Sequence, residues 1–275
     1  MVYGASGYFG SHLVKWLQKL NLPYVAGTSR IDQRENIKQE LIKIAPKYVL
    51  CPAGLKGKPN VDWFEKPENH EEGYRVNVAG RMNVVEICKE LNIHCTVFTT
   101  TFIYNYDEAH PVGGNKFVES DPPNWDKLRY VRLAVELEEK LKDHPEVLNL
   151  RISLPISDDG HPGSLLTKLV KYANVESIPC SISIIDDLWP VAIDFCLRDI
   201  RGTFNFTNPG VMSLDQVLEL YKEIINPAQS WKSVPPSGNR PAYHVSTDKL
   251  ESLAKVPPIQ EAMRNLITRW KQNSN

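Results

Sequence analysis

The first ten residues constrain the fold of this chain more than any other stretch. A short apolar lead (Met1, Val2, Tyr3) runs into Gly4-Ala5-Ser6-Gly7-Tyr8-Phe9-Gly10, and the residues that follow place Leu13, Trp16, Leu17 and Leu20 at helical spacing. Three glycines at three-residue intervals between a strand and an amphipathic helix make a turn whose backbone amides can approach a pyrophosphate at the helix N-terminus. The spacing is GxxGxxG rather than the GxGxxG of the older fingerprint, and glycine triplets also serve ordinary turns. The strand-turn-helix setting favours a dinucleotide site, with Gly4, Ser6, Gly7, Tyr8, Phe9 and Gly10 as its phosphate-binding residues. The strand before the turn is short, either trimmed or of minimal length.

Strands and helices alternate beyond it. Residues 24–27 read as a buried second strand, Ile37, Leu41 and Ile44 mark a helix that Pro46 stops, and residues 48–51 form a third strand. A long helical pattern over 71–91 leads into a fourth strand over 93–99. A loop rich in Pro, Gly, Asp and Asn (105–126), a helix over 128–142 and an apolar strand over 147–154 follow. This rhythm predicts an α/β fold with a doubly wound parallel sheet, binding the dinucleotide with residues 1–155. Past Pro155 the rhythm changes to a loop with Gly160, Pro162 and Gly163, a helix over 164–172 and a strand over 181–185. Helices separated by apolar pieces such as Thr203-Phe204-Asn205-Phe206 complete the chain. Residues 156–275 therefore read as a mixed α/β substrate-binding part, or as a continuation of one domain.

Composition narrows the partners. A chain of 275 residues, 42% hydrophobic, can bury a sizeable core, and a net charge of -1 with interspersed signs argues against nucleic acid and acidic membrane surfaces. The five cysteines are odd in number and lack CxxC spacing, which points to buried thiols in a reducing compartment. His110, His161 and His244 sit in loops, and no metal site is assigned. Neither a signal peptide nor a long apolar run is seen, so the expected location is the cytoplasm, off the membrane.

Two strand ends bear on the cofactor. Thr28-Ser29-Arg30 lies where an adenosine ribose would sit; Ser29 and Arg30 suit a 2′-phosphate and favour NADP(H), while Asp32 keeps NAD open. In Cys51-Pro52-Ala53-Gly54, Ala53 and Gly54 let the backbone pass close under the nicotinamide half. Asn77, in the long helix, is either a further cofactor residue or a plain helix-face residue.

The segments YGASGYFG, GTSR, PNVDW (59–63), NVAG (77–80), YDEAHP (106–111), LRISLPIS (150–157), LLTKL (165–169) and FNFTNPGVMS (204–213), with Arg240 and Asp248-Lys249-Leu250, span nearly the whole chain. Together they resemble extended short-chain dehydrogenases of the dTDP-4-dehydrorhamnose reductase kind, most closely the bifunctional nucleotide-rhamnose synthases with 3,5-epimerase and 4-reductase activities. The resemblance implies a Rossmann domain with a smaller C-terminal substrate-binding part, and NADPH as hydride source. It also implies a nucleotide-linked 4-keto-6-deoxyhexose substrate and a homodimer. It makes Tyr130 the proton donor, Thr100 its hydroxyl partner and Lys168 the lysine of the epimerase pair, with Asn60, Trp63 and Arg240 at the substrate.

Two positions depart from that pattern: Ala134 stands where a lysine four residues after the tyrosine belongs, and Phe102 where the epimerase cysteine belongs. Lys127, three residues before Tyr130, is on helical spacing the replacement cation. The departures leave a second reading open, a chain that binds NADP(H) without catalysis as a regulatory or structural subunit. Taken alone, Tyr130 on an apolar helix reads as a core tyrosine, Thr100 as one of three β-branched residues at a strand end, and Lys168 beside Lys171 as a solvated face.

Overall fold

The computed structural model describes residues 1–273. Its helices are α1 (Tyr8–Lys19), α2 (Arg34–Ile44), α3 (His70–Tyr74), α4 (Arg81–Glu90), α5 (Arg129–Leu141), α6 (Leu165–Leu169), α7 (Ile185–Leu197), α8 (Leu214–Ile224), α9 (Asp248–Glu251) and α10 (Ile259–Asn273). Its strands are β1 (Tyr48–Cys51), β2 (His94–Thr100), β3 (Leu148–Ile152), β4 (Asn174–Glu176), β5 (Gly202–Asn205) and β6 (Lys232–Val234).

Two compact units interleave along the chain. The first comprises Met1–Ile103, Trp125–Leu150 and Trp189–Phe204, the second Tyr104–Asn124, Arg151–Leu188 and the described residues from Asn205 onward. In the first, β2 is buried at every position but its last, so both faces of the sheet need helices over them, as parallel sheets do. β1 and β2 run parallel with Val49 opposite Cys95, and the strand order is β1-β2-β3-β5. Val2 extends the sheet beyond β1, bridging Leu50 on one side and Ala26 on the other. The chain thus leaves Val2, goes outward to Ala26, and returns through α2 to β1 on Val2's other side. In open α/β sheets ligands bind where the strand order reverses in this way, at the carboxyl ends of the strands. Ile37 and Leu41 of α2 are fully buried against this sheet; each contributes about 1.5–3 kcal/mol.

Three expected elements differ. The buried strand expected over 24–27 shrinks to the single Ala26 bridge, made by the Val2 amide on the Val25 carbonyl and the Gly27 amide on the Val2 carbonyl, and it is an exposed edge of the sheet, with Val25 46% exposed. The helix over 71–91 is broken: between α3 and α4, residues Arg75–Gly80 form a π-helical turn. Thr203-Phe204-Asn205-Phe206, read as part of the C-terminal half, supplies β5 beside β3.

The second unit packs Ile182, Ile184, Met212, Val217, Ile259 and Leu266 into its own core, with β4 and β6 paired in parallel. Ser213 and Gln216 close a capping box at the start of α8. The expected strand over 181–185 is absent because its serines take the ladder's partners: the Ser183 hydroxyl donates to the Phe206 carbonyl at 2.8 Å, and Ser181 Oγ accepts from the Val245 amide at 3.0 Å. Only isolated bridges at Cys180 and Ile184 remain. The helix over 164–172 is shortened to α6, closed by three-residue turns from Lys171 to Lys168 and from Tyr172 to Leu169. All five cysteines are free and buried.

Candidate active site

The turn after Val2 is built so tightly that Gly4 and Gly10 leave no room for a Cβ. Gly4 has φ +80, and a Cβ there would lie 2.7 Å from Ala53 Cα; one at Gly10 would overlap the Gly4 carbonyl. Gly7 is the N-cap of α1 and donates its amide back to the Gly4 carbonyl at 3.0 Å. No side chain caps α1 and its first turn carries no acidic residue, so its amino end presents positive partial charge to an anion. Phe9 is held edge-on against Trp189 (centroids 5.8 Å apart), and Tyr8 lies under the Lys56 ammonium at 5.9 Å.

At the second-strand end the decisive residue is one the sequence reading missed. Glu40 of α2 accepts from the Thr28 amide and hydroxyl, both at 2.8 Å, from the Ser29 amide at 3.1 Å, and from the buried Tyr3 hydroxyl at 3.1 Å. Burial raises the Glu40 carboxyl, and the hydrogen bonds from Thr28 and Ser29 more than offset it, holding it below its ordinary range. Burial and the Glu40 charge push Tyr3 far above the phenol range. The signal was present: Glu40 shares the helical stripe of Ile37, Leu41 and Ile44, an odd place for an unpartnered carboxylate. Beyond it, Asp32 is tucked between Arg30, at 3.1 Å, and Arg75; its side chain is 1% exposed and that of Arg30 59%.

The reacting centre gathers around the loop after β1. Asn77, buried in the π-helical turn, holds both sides of one residue: its Oδ1 accepts from the Leu55 amide at 2.7 Å and its Nδ2 donates to the Leu55 carbonyl at 2.9 Å. Gly54 lies against Arg81, whose Nε donates to the Ala53 carbonyl at 3.1 Å; a methyl at Gly54 would overlap the guanidinium. Leu55 in turn packs against the cluster of Phe64, Val78 and Leu133, on which Tyr130 also packs. Tyr130 of α5 packs on Phe64 with ring centroids 5.5 Å apart, and the Thr100 side chain at the end of β2, whose Oγ accepts from the Phe102 amide at 3.0 Å, acts on the Tyr130 hydroxyl against the rise that burial causes. Lys127 precedes α5, and Leu128 between them is extended (φ -103, ψ 143), so the helical spacing that recommended Lys127 does not apply.

Of the remaining candidates, Asn60 caps the 3₁₀ turn Val61–Glu65 by accepting from the Asp62 amide at 2.9 Å, and Trp63 stands edge-on to Phe64 with centroids 5.0 Å apart. Lys168 and Arg240 belong to the second unit, Lys168 on α6 and Arg240 in the stretch between β6 and α9. Among the described residues, no group of three His, Cys, Asp or Glu is placed to hold a metal ion, and no helix is long and apolar enough to cross a membrane.

A strand, an uncapped glycine turn and a reversal of strand order are shared by many dinucleotide enzymes, and comparison narrows them. The model of the NAD dependent epimerase/dehydratase family matches residues 1–174. The chain belongs to this family. Among its epimerase/dehydratase relatives, a bifunctional dTDP-4-dehydrorhamnose 3,5-epimerase/dTDP-4-dehydrorhamnose reductase of Arabidopsis thaliana is 37% identical over 85% of this chain and 77% of that protein. A trifunctional UDP-glucose 4,6-dehydratase/UDP-4-keto-6-deoxy-D-glucose 3,5-epimerase/UDP-4-keto-L-rhamnose-reductase of the same plant is 39% identical over 85% of this chain. The chain spans only 35% of that relative's length. The crystal structure of the L780 UDP-rhamnose synthase of Acanthamoeba polyphaga mimivirus superposes with a TM-score of 0.93 at 30% identity, covering 98% of both chains. The fold is the Rossmann type, as expected from the sequence.

The family's dinucleotide fits the residues present. The turn from Gly4 to Gly10 leaves no room for a Cβ at either of those glycines and ends on an uncapped helix, which suits a pyrophosphate. The Ala53–Gly54 backbone, drawn in by Asn77 and Arg81, is the surface over which the nicotinamide half would lie.

Proposed function

We propose that this chain is an NADPH-dependent reductase of a nucleotide-linked 4-keto-6-deoxyhexose, completing the formation of a nucleotide-linked rhamnose. The observation that carries the reading is the crowded glycine turn ending on the uncapped helix α1, followed by the loop that Asn77 and Arg81 draw in, with Tyr130 packed on Phe64 of the next turn. When bound over that loop, a reduced nicotinamide would supply hydride to the sugar C4. Tyr130 then gives its hydroxyl proton to the ketone oxygen, Thr100 holds that oxygen and the phenolate together, and the ketone becomes an alcohol. The names of the plant and viral relatives support the substrate class, and all of those names describe enzymes. Preference for NADPH is supported by Asp32, whose carboxylate is already covered by two arginines and is poorly placed to accept from a free 2′-hydroxyl. Lys168 is the base proposed for proton exchange beside the ketone, and Arg240 the ligand of the diphosphate.

The test is NADPH oxidation with UDP-4-keto-6-deoxyglucose and its 3,5-epimerised form, run on the chain as it stands, on Tyr130→Phe and on Ala134→Lys. Turnover that falls about 10²- to 10⁴-fold in Tyr130→Phe, with NADPH affinity kept, is the expected result. NADPH binding with no turnover by either the native chain or Ala134→Lys would overturn the reading and leave a binding subunit. Deuterium uptake at C3 or C5 in heavy water, lost in Lys168→Ala, reports the epimerase step separately from hydride transfer.

A further inference from the structure

A tyrosine hydroxyl gives up its proton near neutral pH only if something stabilises the phenolate it leaves, and a cation within a few ångströms is the strongest such device. One helical turn beyond Tyr130 the chain has Ala134, which carries no charge. The charged groups on the elements around Tyr130 are mostly committed elsewhere. From the 3₁₀ turn Val61–Glu65, Glu65 accepts from the Arg129 amide at 2.5 Å and faces Arg132 at 3.8 Å, while Asp62 is exposed. On α5 itself, Arg132 donates to the carbonyls of Asp126 and Lys127. Arg129, whose buried Nε has no hydrogen-bond partner, is one residue before Tyr130 and so points about 100° away from it around the helix. The short helix α3, which packs on α5, adds the carboxylates of Glu71 and Glu72. The π-helical turn brings Arg75, which is paired with Asp32, and the loop after β1 brings Lys56, whose ammonium stands over Tyr8. From β2 comes the uncharged Thr100.

Arg81 differs from all of these. It opens α4 immediately after the π-helical turn, on the apolar stripe of Val84, Val85 and Cys88, and its Nε is anchored on the Ala53 carbonyl at 3.1 Å. Its guanidinium fills the space that a side chain at Gly54 would need. One residue on, Leu55 packs against the cluster of Phe64, Val78 and Leu133 on which Tyr130 of α5 also packs, so the loop that Asn77 clamps and that carries the guanidinium borders the packing around the phenol ring.

We propose that Arg81 is the positioning cation for Tyr130, set in from α4 to do what a lysine at position 134 of α5 would otherwise do. The inference rests on Tyr130 being the proton donor of the reaction proposed above. Electrostatics agree with the geometry: burial pushes the Tyr130 hydroxyl above the usual phenol range, and the Arg81 charge, then the Thr100 side chain, pull it back. The glycine at 54 becomes part of the device, since a larger residue would push the guanidinium away without removing any charge.

Ultraviolet phenolate titration tests this without substrate, each protein read against its own Tyr130→Phe counterpart so that the other tyrosines cancel. Arg81→Leu is expected to raise the Tyr130 titration by about one pH unit or more, and Arg81→Lys to hold it near the native position. Arg81→Leu combined with Ala134→Lys is expected to bring it back. Gly54→Ala keeps every charge and should also raise it, which gives a second route should Arg81→Leu fail to fold. In NADPH turnover, the alkaline limb of the pH–rate profile should move up with the titration while the rate at neutral pH falls about tenfold or more. A merely structural arginine would lower the rate and leave the limb in place. A Tyr130 titration that is unmoved in Arg81→Leu or in Gly54→Ala overturns the proposal. A titration that moves with Arg81 in a protein that reduces no keto-sugar upholds the pairing and overturns the proposed function instead.

Discussion

Arg30 and Arg75 converge on one carboxylate, Asp32, so two positive charges meet one negative charge at the end of the second strand. The surplus charge lies on the exposed guanidinium of Arg30, and a 2′-phosphate is the ligand whose planar, bidentate recognition suits it. Arg30→Ala is therefore expected to weaken NADPH binding by about tenfold or more, from the loss of a charge-assisted contact, while NADH binding changes little. Isothermal titration calorimetry with both cofactors checks this, and an equal loss for the two would make Arg30 a general surface charge. Ser29 belongs to a different account. Its amide is taken by Glu40, so its contribution is to hold the strand end in shape rather than to meet the phosphate with that group.

At the scale of elements, Glu40 ties α2 to the first strand through Tyr3 and to the second through Thr28 and Ser29. Because its folded-state pKa lies below the ordinary 4.5, its contribution to stability is complete above that value. It is lost progressively as pH falls from there through the lower folded-state value. Glu40→Gln should lower stability at neutral pH by about 1 kcal/mol, and the gap to the native protein should close on acidification; urea unfolding across pH reads it. A gap that stays constant with pH would show that the carboxylate's charge plays no part. Tyr130 and Thr100 stood out only through the family resemblance, since alone they read as a core tyrosine and a strand-end threonine, whereas the glycine turn and the alternation of elements were legible from local pattern: glycine spacing and hydrophobic period. Glu40 and Arg81 were not, since each acts on a residue far away in sequence, and a charge on an apolar stripe does not say which distant group it faces. The break in the helix over 71–91 was hidden for the same reason. The π-helical turn is favoured by the two bonds from Asn77 to Leu55, a partner that only the folded loop supplies.

For the molecule as a whole, the number of dinucleotide turns limits the chemistry. Among the described residues one strand, glycine turn and helix of this kind is present, at Gly4 to Gly10, so one nicotinamide is served at a time. Loss of water from a nucleotide-linked glucose changes no net oxidation state, and any hydride removed in that step must be returned to the same sugar. Reduction of a 4-ketone instead consumes one hydride for every sugar. The chain spans 35% of the length of a trifunctional relative that carries both kinds of step in its name, and 77% of a bifunctional one named without the dehydratase. Incubated with UDP-glucose and either cofactor, the chain is expected to leave the sugar intact. Given a nucleotide-linked 4-keto-6-deoxyhexose, it should oxidise one NADPH for each sugar reduced, as mass spectrometry of the nucleotide sugars and absorbance of the cofactor would show. Consumption of UDP-glucose with no net change in cofactor would mean that this single site runs the dehydration as well, and that the proton donor at Tyr130 serves more than the ketone.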